Sequence, residues 1–326
     1  MRASMARCFV TRSLPGPALD RLRARHEVEV WPERLPPSYE ELAARAAEVE
    51  GLLTLLTDRV DASLIEHCPR LRVVSNYAVG YDNVDIDAAT ARAIAVGNTP
   101  DVLTEATADL TWALLLAAAR KLPEAEASVH AGDWLTWEPG RYLGQVVAGA
   151  TLGIVGLGRI GTAVARRASG FDMTVLYSGG GSGAVAPAEV LAASAVGFDE
   201  LLESSDFVSL HCPLTPATHH LIDAAALKRM RSNAILINTA RGPIVDPVAL
   251  RDALESGEIA GAALDVTEPE PPPADDPLLS APNLIVLPHI GSATRVAREQ
   301  MAELAVENLL AGLDGLPLPH QVEAVA

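Results

Sequence analysis

An α/β protein with two doubly wound parallel-sheet domains is the fold this sequence predicts, and three observations carry that expectation. Short apolar, β-branched runs alternate with amphipathic stretches over residues 1–100 and again from 151 to 288, which is the rhythm of βαβ units. At TLGIVGLGRIG (151–161) one such run passes directly into Gly156-x-Gly158-x-x-Gly161, after which Ile160, Val164 and Ala168 recur every four residues. That strand, glycine turn and helix form the context of a Rossmann-like dinucleotide site. The length, 326 residues, suits about two domains of roughly 150 residues each.

In the first block, Cys8–Val10, Val28–Trp31, Leu52–Leu56, Val73–Asn76 and Ala95–Gly97 read as strands. Tyr39–Val49 and Asp85–Ala93 are amphipathic helices between them. The polar loop NYAVGYDN (76–83) follows the fourth strand, and loops at strand C-terminal ends are where open α/β sheets bind ligands. Thr104–Leu122 reads as one long helix, with Thr104 as cap, Glu105 in its first turn and Arg120 and Lys121 in its last. Being apolar nearly all round, it is expected to be buried on several sides. HAGDWLTWEPG (130–140) follows, rich in turn formers and carrying Trp134 and Trp137. Two large aromatics in a loop suggest an interface or a lid, with satellite core packing as the alternative.

The second block places strands at Thr151–Val155, Met173–Ser178, Phe207–Cys212, Ala234–Asn238, Gly261–Val266 and Leu284–Leu287, six in all. The proline-rich stretch 271–277 reads as an extended surface loop, and Ala293–Leu313 as a final long helix. The short glycine run 179–183 is the one low-complexity segment, and no solenoid repeat is present.

Composition narrows the function. Hydrophobic residues make up 49% of the chain, enough for a large core, and the formal net charge is −17, with a pI near 4.8 and a mean hydropathy of +0.20. Such acidity argues against a nucleic-acid surface, which needs a basic patch, and against binding to anionic membrane. Cys8, Cys68 and Cys212 are odd in number and match no metal or redox spacing, so a reducing, cytoplasmic setting and no metal are expected. MRASMARCFV lacks an apolar signal core. Leu110–Ala119 is about half a membrane span and is flanked by charges, so it reads as a buried helix.

Within the turn, Gly156 allows the tight exit from the strand, Gly158 lets a pyrophosphate approach the backbone, and Gly161 lets helix and strand pack closely. The phosphates would meet the free N–H groups of the helix start. Three further motifs put polar groups past strand ends: Arg241 in INTARGPIVD (237–246), Asp265 and Glu270 in ALDVTEPEP (263–271), and His289 in LPHIGSAT (287–294). All leave the sheet at the edge that would hold the dinucleotide, the convergence a catalytic site needs. A histidine beside a carboxylate is a proton donor whose imidazolium the anion stabilises. Arginine's fork matches a carboxylate or polarises a carbonyl. Singly, each of these residues has an ordinary structural reading as surface arginine or capping acid.

Together with NYAVGYDNVDIDAAT (76–90), NTPDVLTEATADL (98–110), SDFVSLHCPLT (205–215) and NAILINTARGPIVD (233–246), these motifs make the chain resemble the D-isomer-specific 2-hydroxyacid dehydrogenases, and among them the glyoxylate/hydroxypyruvate reductases. The resemblance covers nearly the whole sequence. It implies a flavodoxin-like outer substrate domain from residues 1–103 and 292–326, an inner NAD(P)-binding domain from 104–291, and a homodimer made chiefly through the inner domains. The family's catalytic trio falls on Arg241, Glu270 and His289. His289 would protonate the keto oxygen of a small 2-keto acid, Glu270 would keep His289 protonated, and Arg241 would clamp the carboxylate. Backbone N–H groups around Val79 and Gly80 would hold the carboxylate's other face, with Ser292 as an extra donor. Trp137 resembles a tryptophan that these reductases contribute across the dimer, with Trp134 as the competing candidate.

Cofactor contacts are implied at Gly156, Leu157, Gly158, Arg159, Ile160 and Gly161, and at Ser178, Gly179 and Gly180. Further contacts are implied at Cys212, Pro213 and Thr218, at Thr239, Ala240 and Arg241, and at Asp265, His289 and Gly291. In the family the Asp265 position touches the nicotinamide carboxamide; a helix cap or turn anchor is its structural alternative. His211 would lie near the adenosine, and His219 and His220 are expected at the surface.

One departure bears on NAD versus NADP. An NAD enzyme carries an acid at the end of the second strand, yet here, 22 residues past Gly156, that strand ends LYSGGG (176–181) with neither acid nor base. The expectation leans slightly to NADPH, with dual use close behind. Glu270 counts against a formate dehydrogenase, whose family position holds glutamine. Phosphite dehydrogenases keep the trio, as do dinucleotide-sensing corepressors of this fold, which the acidic chain disfavours.

Overall fold

The computed structural model describes residues 5–180 and 192–323; Gly181 and the rest of the glycine run to Gly183 lie outside them. The chain divides into two compact units, Met1–Leu103 with Ala293–Ala326, and Thr104–Ser292.

The first unit alternates β1 (Arg7–Val10), α1 (Ala18–Arg23), β2 (Glu27–Val30), α2 (Tyr39–Ala46), β3 (Gly51–Thr54), α3 (Ala62–His67), β4 (Val73–Asn76), α4 (Ile86–Ala91) and β5 (Ala95–Gly97). Its sheet has the order β2-β1-β3-β4-β5, parallel throughout, which is the flavodoxin-like arrangement. The helices start where side chains satisfy the orphan N–H groups: Ser38 and Glu41 form a reciprocal box on α2, and Asp61 and Asp85 cap α3 and α4. β3 and β4 are buried on both faces, so their sequences, GLLT and VVSN, show no apolar–polar alternation. One face is covered by a helix from the far end of the chain, Arg295–Leu313. Ser75 donates to the Ala305 carbonyl (2.8 Å), and Asn308 donates to the Asn98 carbonyl (2.8 Å) while accepting from His320 N–H (3.0 Å).

The second unit runs through α5 (Thr104–Ala119), α6 (Leu122–His130), β6 (Thr151–Val155), α7 (Arg159–Ala168), β7 (Thr174–Ser178), β8 (Ala193–Ala195), α8 (Phe198–Ser204), β9 (Phe207–Leu210), α9 (Ala224–Arg229), β10 (Ile235–Asn238), α10 (Pro247–Ser256), β11 (Gly261–Leu264) and β12 (Leu284–Val286); the C-terminal Arg295–Leu313 helix of the first unit is α11. Its sheet has the order β12-β11-β10-β9-β6-β7-β8, parallel throughout. The chain winds outward from β6 through β7 to β8, then returns to β9 on the other side of β6. That reversal creates a crevice at the C-terminal ends of β6 and β9, the switch point where such sheets take ligands.

Two expectations change. The sheet has seven strands among the described residues, not six, because β8 (sequence ASA) is an edge strand. Its residues are small, two alanines and a serine, so no bulky apolar run announces it. The long helix expected to Leu122 ends at Ala119: Lys121 adopts the left-handed conformation (φ 50°) and α6 starts afresh. Pro123 has no N–H with which to reach the Ala119 carbonyl, and Gln145 N–H takes that acceptor instead, at 2.8 Å. α5 itself is deeply buried, through Thr107, Ala108, Thr111, Trp112, Leu114, Leu115 and Ala119.

Candidate active site

The glycine turn is built as close packing requires. Gly156 leaves β6 at φ +94°, and a Cβ there would lie 2.7 Å from the Cys212 nitrogen, so the turn presses against the chain leaving β9. A Cβ on Gly161 would lie 2.4 Å from the Gly156 carbonyl oxygen, whereas one on Gly158 would meet nothing within 4 Å. Gly158 is also the N-cap of α7 and has no side chain to satisfy the helix's first N–H groups. Open space in front of uncapped N–H groups is a cradle for an anionic pyrophosphate, so the residues present fit a dinucleotide. Leu157 is buried under the turn, Ile160 is part-buried and Arg159 is exposed on the first turn of α7.

The end of β7 lies alongside. Gly156 N–H donates to the Ser178 carbonyl and Leu157 N–H to the Gly179 carbonyl, both at 2.9 Å. Gly180 reaches the same turn, where a Cβ would lie 3.4 Å from that of Leu157. Past β9, His211 N–H donates to Val155 (2.8 Å), and its Nε2 lies 2.8 Å from Ser209 Oγ. Burial pushes the His211 imidazole down to about 3 and the neighbouring Cys212 thiol up to about 11, so both are neutral near pH 7. Pro213 is exposed, and its carbonyl accepts from Thr218 Oγ1 (2.7 Å), which in turn accepts from Thr215 N–H (2.8 Å). The Thr218 hydroxyl therefore braces its own turn.

The catalytic candidates follow β10, β11 and β12, which are neighbours in the sheet. Asn238, the fully buried last residue of β10, accepts from Ala240 N–H (3.0 Å) and donates to the Arg241 carbonyl (2.8 Å). It thereby fixes the loop that presents Arg241, whose guanidinium donates to the Ala240 carbonyl at 2.8 Å. Thr239 pairs hydroxyls with Thr111 of α5 at 2.9 Å. Glu270 sits beyond the end of β11, where Thr267 Oγ1 donates to the Pro269 carbonyl (2.8 Å) and braces the segment. His289 follows β12, and its Nδ1 lies 2.6 Å from Glu270 Oε1.

His289 is held in the left-handed region, φ 54°, which costs a non-glycine residue of order 1–3 kcal/mol and persists only where the surroundings enforce it. The enforcing group is Asp265. Its carbonyl accepts from His289 N–H (2.8 Å), and its two carboxylate oxygens accept from Ile290 and Gly291 N–H, each at 2.7 Å. Burial raises the Asp265 carboxyl above the ordinary carboxylate range, and these two N–H groups pull it back. Of the two readings of Asp265, the turn anchor is the one drawn in hydrogen bonds.

Asn238, Thr267 and Thr111 were not marked by sequence reasoning. The signal that could have found them is a polar side chain at the buried end of an apolar run, since such a group must be hydrogen-bonded. His219 is exposed as expected, but His220 is half-buried, with Nε2 2.7 Å from Glu268 Oε2.

Val79 and Gly80 lie in the first unit, in the loop after β4. Their carbonyls accept from Asn98 Nδ2 (2.8 Å) and Asn76 Nδ2 (3.0 Å), which fixes the orientation of those peptides. Ser292 is part-buried one residue beyond Gly291. Trp137 and Trp134 are 79% and 66% exposed, on the segment after α6.

Comparison with known proteins identifies the family. Residues 112–291 match the family model for the D-isomer specific 2-hydroxyacid dehydrogenase NAD binding domain. A glyoxylate reductase of Korarchaeum cryptofilum is 50% identical over 97% of this chain and 95% of its own. A solved Thermus thermophilus protein superposes with a TM-score of 0.90 at 50% identity, covering 97% of this chain and 99% of that one. The NADPH-dependent glyoxylate/hydroxypyruvate reductase of Sinorhizobium meliloti, solved with NADP and malonate, superposes at 0.84 with 34% identity, covering 99% and 100%. Glycine turn, strand-end polar groups and relatives converge on one conclusion: this chain belongs to the D-isomer-specific 2-hydroxyacid dehydrogenases and is an NAD(P)-dependent oxidoreductase.

Proposed function

We propose that the chain reduces glyoxylate and hydroxypyruvate to glycolate and D-glycerate. The observation that carries this reading is the His289–Glu270 pair, Nδ1 to Oε1 at 2.6 Å, on the sheet edge that also bears the glycine turn. The Gly156–Gly161 turn would hold a reduced nicotinamide dinucleotide, which would supply the hydride for the keto carbon. His289 delivers a proton from Nε2 to the keto oxygen, while Glu270 holds Nδ1 and stabilises the charged ring. Arg241 pairs with the substrate carboxylate and keto oxygen through its planar fork. Val79 and Gly80 bind the carboxylate through backbone N–H groups, and Ser292 adds a hydrogen bond.

Among the described residues, the end of β7 offers Ser178 and glycine N–H groups and no carboxylate to repel a 2′-phosphate, which supports use of NADPH with NADH as second cofactor. The proposed assembly is a homodimer. α6 has no buried residue, and the segment after it exposes Trp134, Leu135, Trp137, Leu143 and Val146, an apolar surface of the kind that marks a protein contact. In that dimer Trp137 reaches the partner's substrate site. Among the described residues no helix is long and apolar enough to cross a membrane, and a cytoplasmic location is proposed. The test is steady-state kinetics with glyoxylate, hydroxypyruvate, pyruvate, bulkier 2-keto acids and phosphite, each against the matching form of NAD and NADP. Turnover highest with glyoxylate or hydroxypyruvate is expected. Preference for a bulkier keto acid, or activity confined to phosphite, refutes the assignment.

A further inference from the structure

His219, His220 and Glu268 come together outside the residues assigned to catalysis and cofactor. His220 Nε2 lies 2.7 Å from Glu268 Oε2, and His219 Nε2 lies 3.8 Å from Glu268 Oε1. The two imidazoles stack at 4.0 Å between centroids, 27° apart in plane. Neighbouring side chains on a strand point to opposite faces, so this parallel presentation needs a special backbone. It has one: His220 is left-handed, φ 49°, with its N–H on the Pro243 carbonyl at 2.8 Å, and His219 N–H bonds the Thr215 carbonyl at 2.9 Å. A purely structural role accounts for His220, which is half-buried and hydrogen-bonded. It does not account for His219, whose half-exposed ring faces the other oxygen of the same carboxylate.

We propose that these three side chains bind a borderline divalent transition cation of the Zn²⁺ class. One nitrogen from each ring and one carboxylate oxygen can be offered from within 4.8 Å of one another. Ligands about 2.1 Å from a tetrahedral ion are roughly 3.4 Å apart, inside the 4.8 Å within which one ligand atom from each of the three side chains lies. Two imidazoles and one carboxylate suit Zn²⁺, Co²⁺ or Ni²⁺ and not Mg²⁺ or Ca²⁺, which take oxygen donors. Water fills the remaining positions, because His219 faces solvent. The ion ties the 213–220 turn to the segment that carries Glu270, since Glu268 is two residues before it. It therefore stabilises the second unit against unfolding while leaving the reaction independent of metal.

The test uses untagged full-length protein, chelator-treated and titrated with ZnCl₂ by calorimetry at pH 7.5, with the visible spectrum of the Co²⁺ form as a second readout. Expected are uptake by wild type that equimolar Mg²⁺ does not displace, a rise in Tm with Zn²⁺, and at least tenfold weaker binding in both His219→Ala and Glu268→Gln. Both variants should keep their metal-free circular dichroism, and His219→Ala should keep wild-type keto-acid reduction. No uptake by wild type, or undiminished affinity in either variant, overturns the proposal.

Discussion

Asp265→Asn isolates what the buried carboxylate contributes to His289. In wild type each oxygen accepts one N–H at 2.7 Å, from Ile290 and from Gly291. An amide keeps one acceptor and turns its NH₂ toward the other N–H, so one charge-assisted hydrogen bond is lost and a buried donor faces a donor. Hydrogen bonds to charged groups are worth about 1.5–3 kcal/mol, and the left-handed His289 relaxes once its tether weakens. A loss of about 2 kcal/mol in holding the competent conformer corresponds to roughly 30-fold in rate. The expected outcome is a kcat for glyoxylate lowered about 10–50-fold, KM for substrate and cofactor within about threefold, and a stability loss of similar size in urea unfolding. The assay follows nicotinamide absorbance across pH 6–9, with cofactor affinity measured separately by fluorescence. Wild-type kcat in Asp265→Asn refutes the tether. A loss confined to cofactor KM places the carboxylate against the nicotinamide carboxamide instead.

His289→Ala should fold and bind cofactor normally but reduce keto acids roughly 10²–10⁴-fold more slowly, the usual worth of a positioned general acid; single-turnover kinetics with a cofactor-binding control checks it. Arg241→Lys should lower kcat and raise KM together, because an ammonium cannot reproduce the planar fork; an unchanged kcat/KM would place Arg241 outside the substrate site. Ser178→Asp should shift the NADPH/NADH ratio of kcat/KM about tenfold toward NADH through repulsion of a 2′-phosphate, read by kinetics with each cofactor at low and moderate salt. The depressed His211, at about 3 when folded against 6.5 as a free group, makes the unfolded chain bind the extra proton between those values. Its stabilisation is full above about pH 6.5 and is lost as pH falls toward 3, about 2 kcal/mol by pH 5; urea unfolding of His211→Asn should show a correspondingly shallower acid slope.

The strands that carry the site were legible because parallel strands covered on both faces are near-continuous apolar runs, as Ile235–Ile237 of β10 and GAAL of β11 are. Polar residues just beyond such runs are conspicuous, which is how Arg241, Asp265 and His289 stood out. β8 was not legible because Ala-Ser-Ala has no bulky group to bury. The break at Lys121 has a sequence signal in Pro123, which lacks the N–H that would continue the ladder, but the apolar pattern running on from α5 into Leu122 masks it; Gln145 N–H then takes the Ala119 carbonyl. The tethering by Asp265 was illegible for another reason: its partners lie 25 and 26 residues away and are backbone groups, which every residue but proline supplies.

The sheet of the first unit is covered by α11, which is made after the whole second unit. Between Leu103 and Ala293 lie 189 residues of other structure, about 10–40 s of synthesis at 5–20 residues per second. During that interval the β3 and β4 face that α11 covers, with Ser75 unpaired, has no native cover, whereas the contiguous second unit already holds every residue of its own sheet. A nascent chain halted before Arg295 should therefore resist protease across Thr104–Ser292 and be cut within residues 1–103, so the unit that is translated first is the one that matures last.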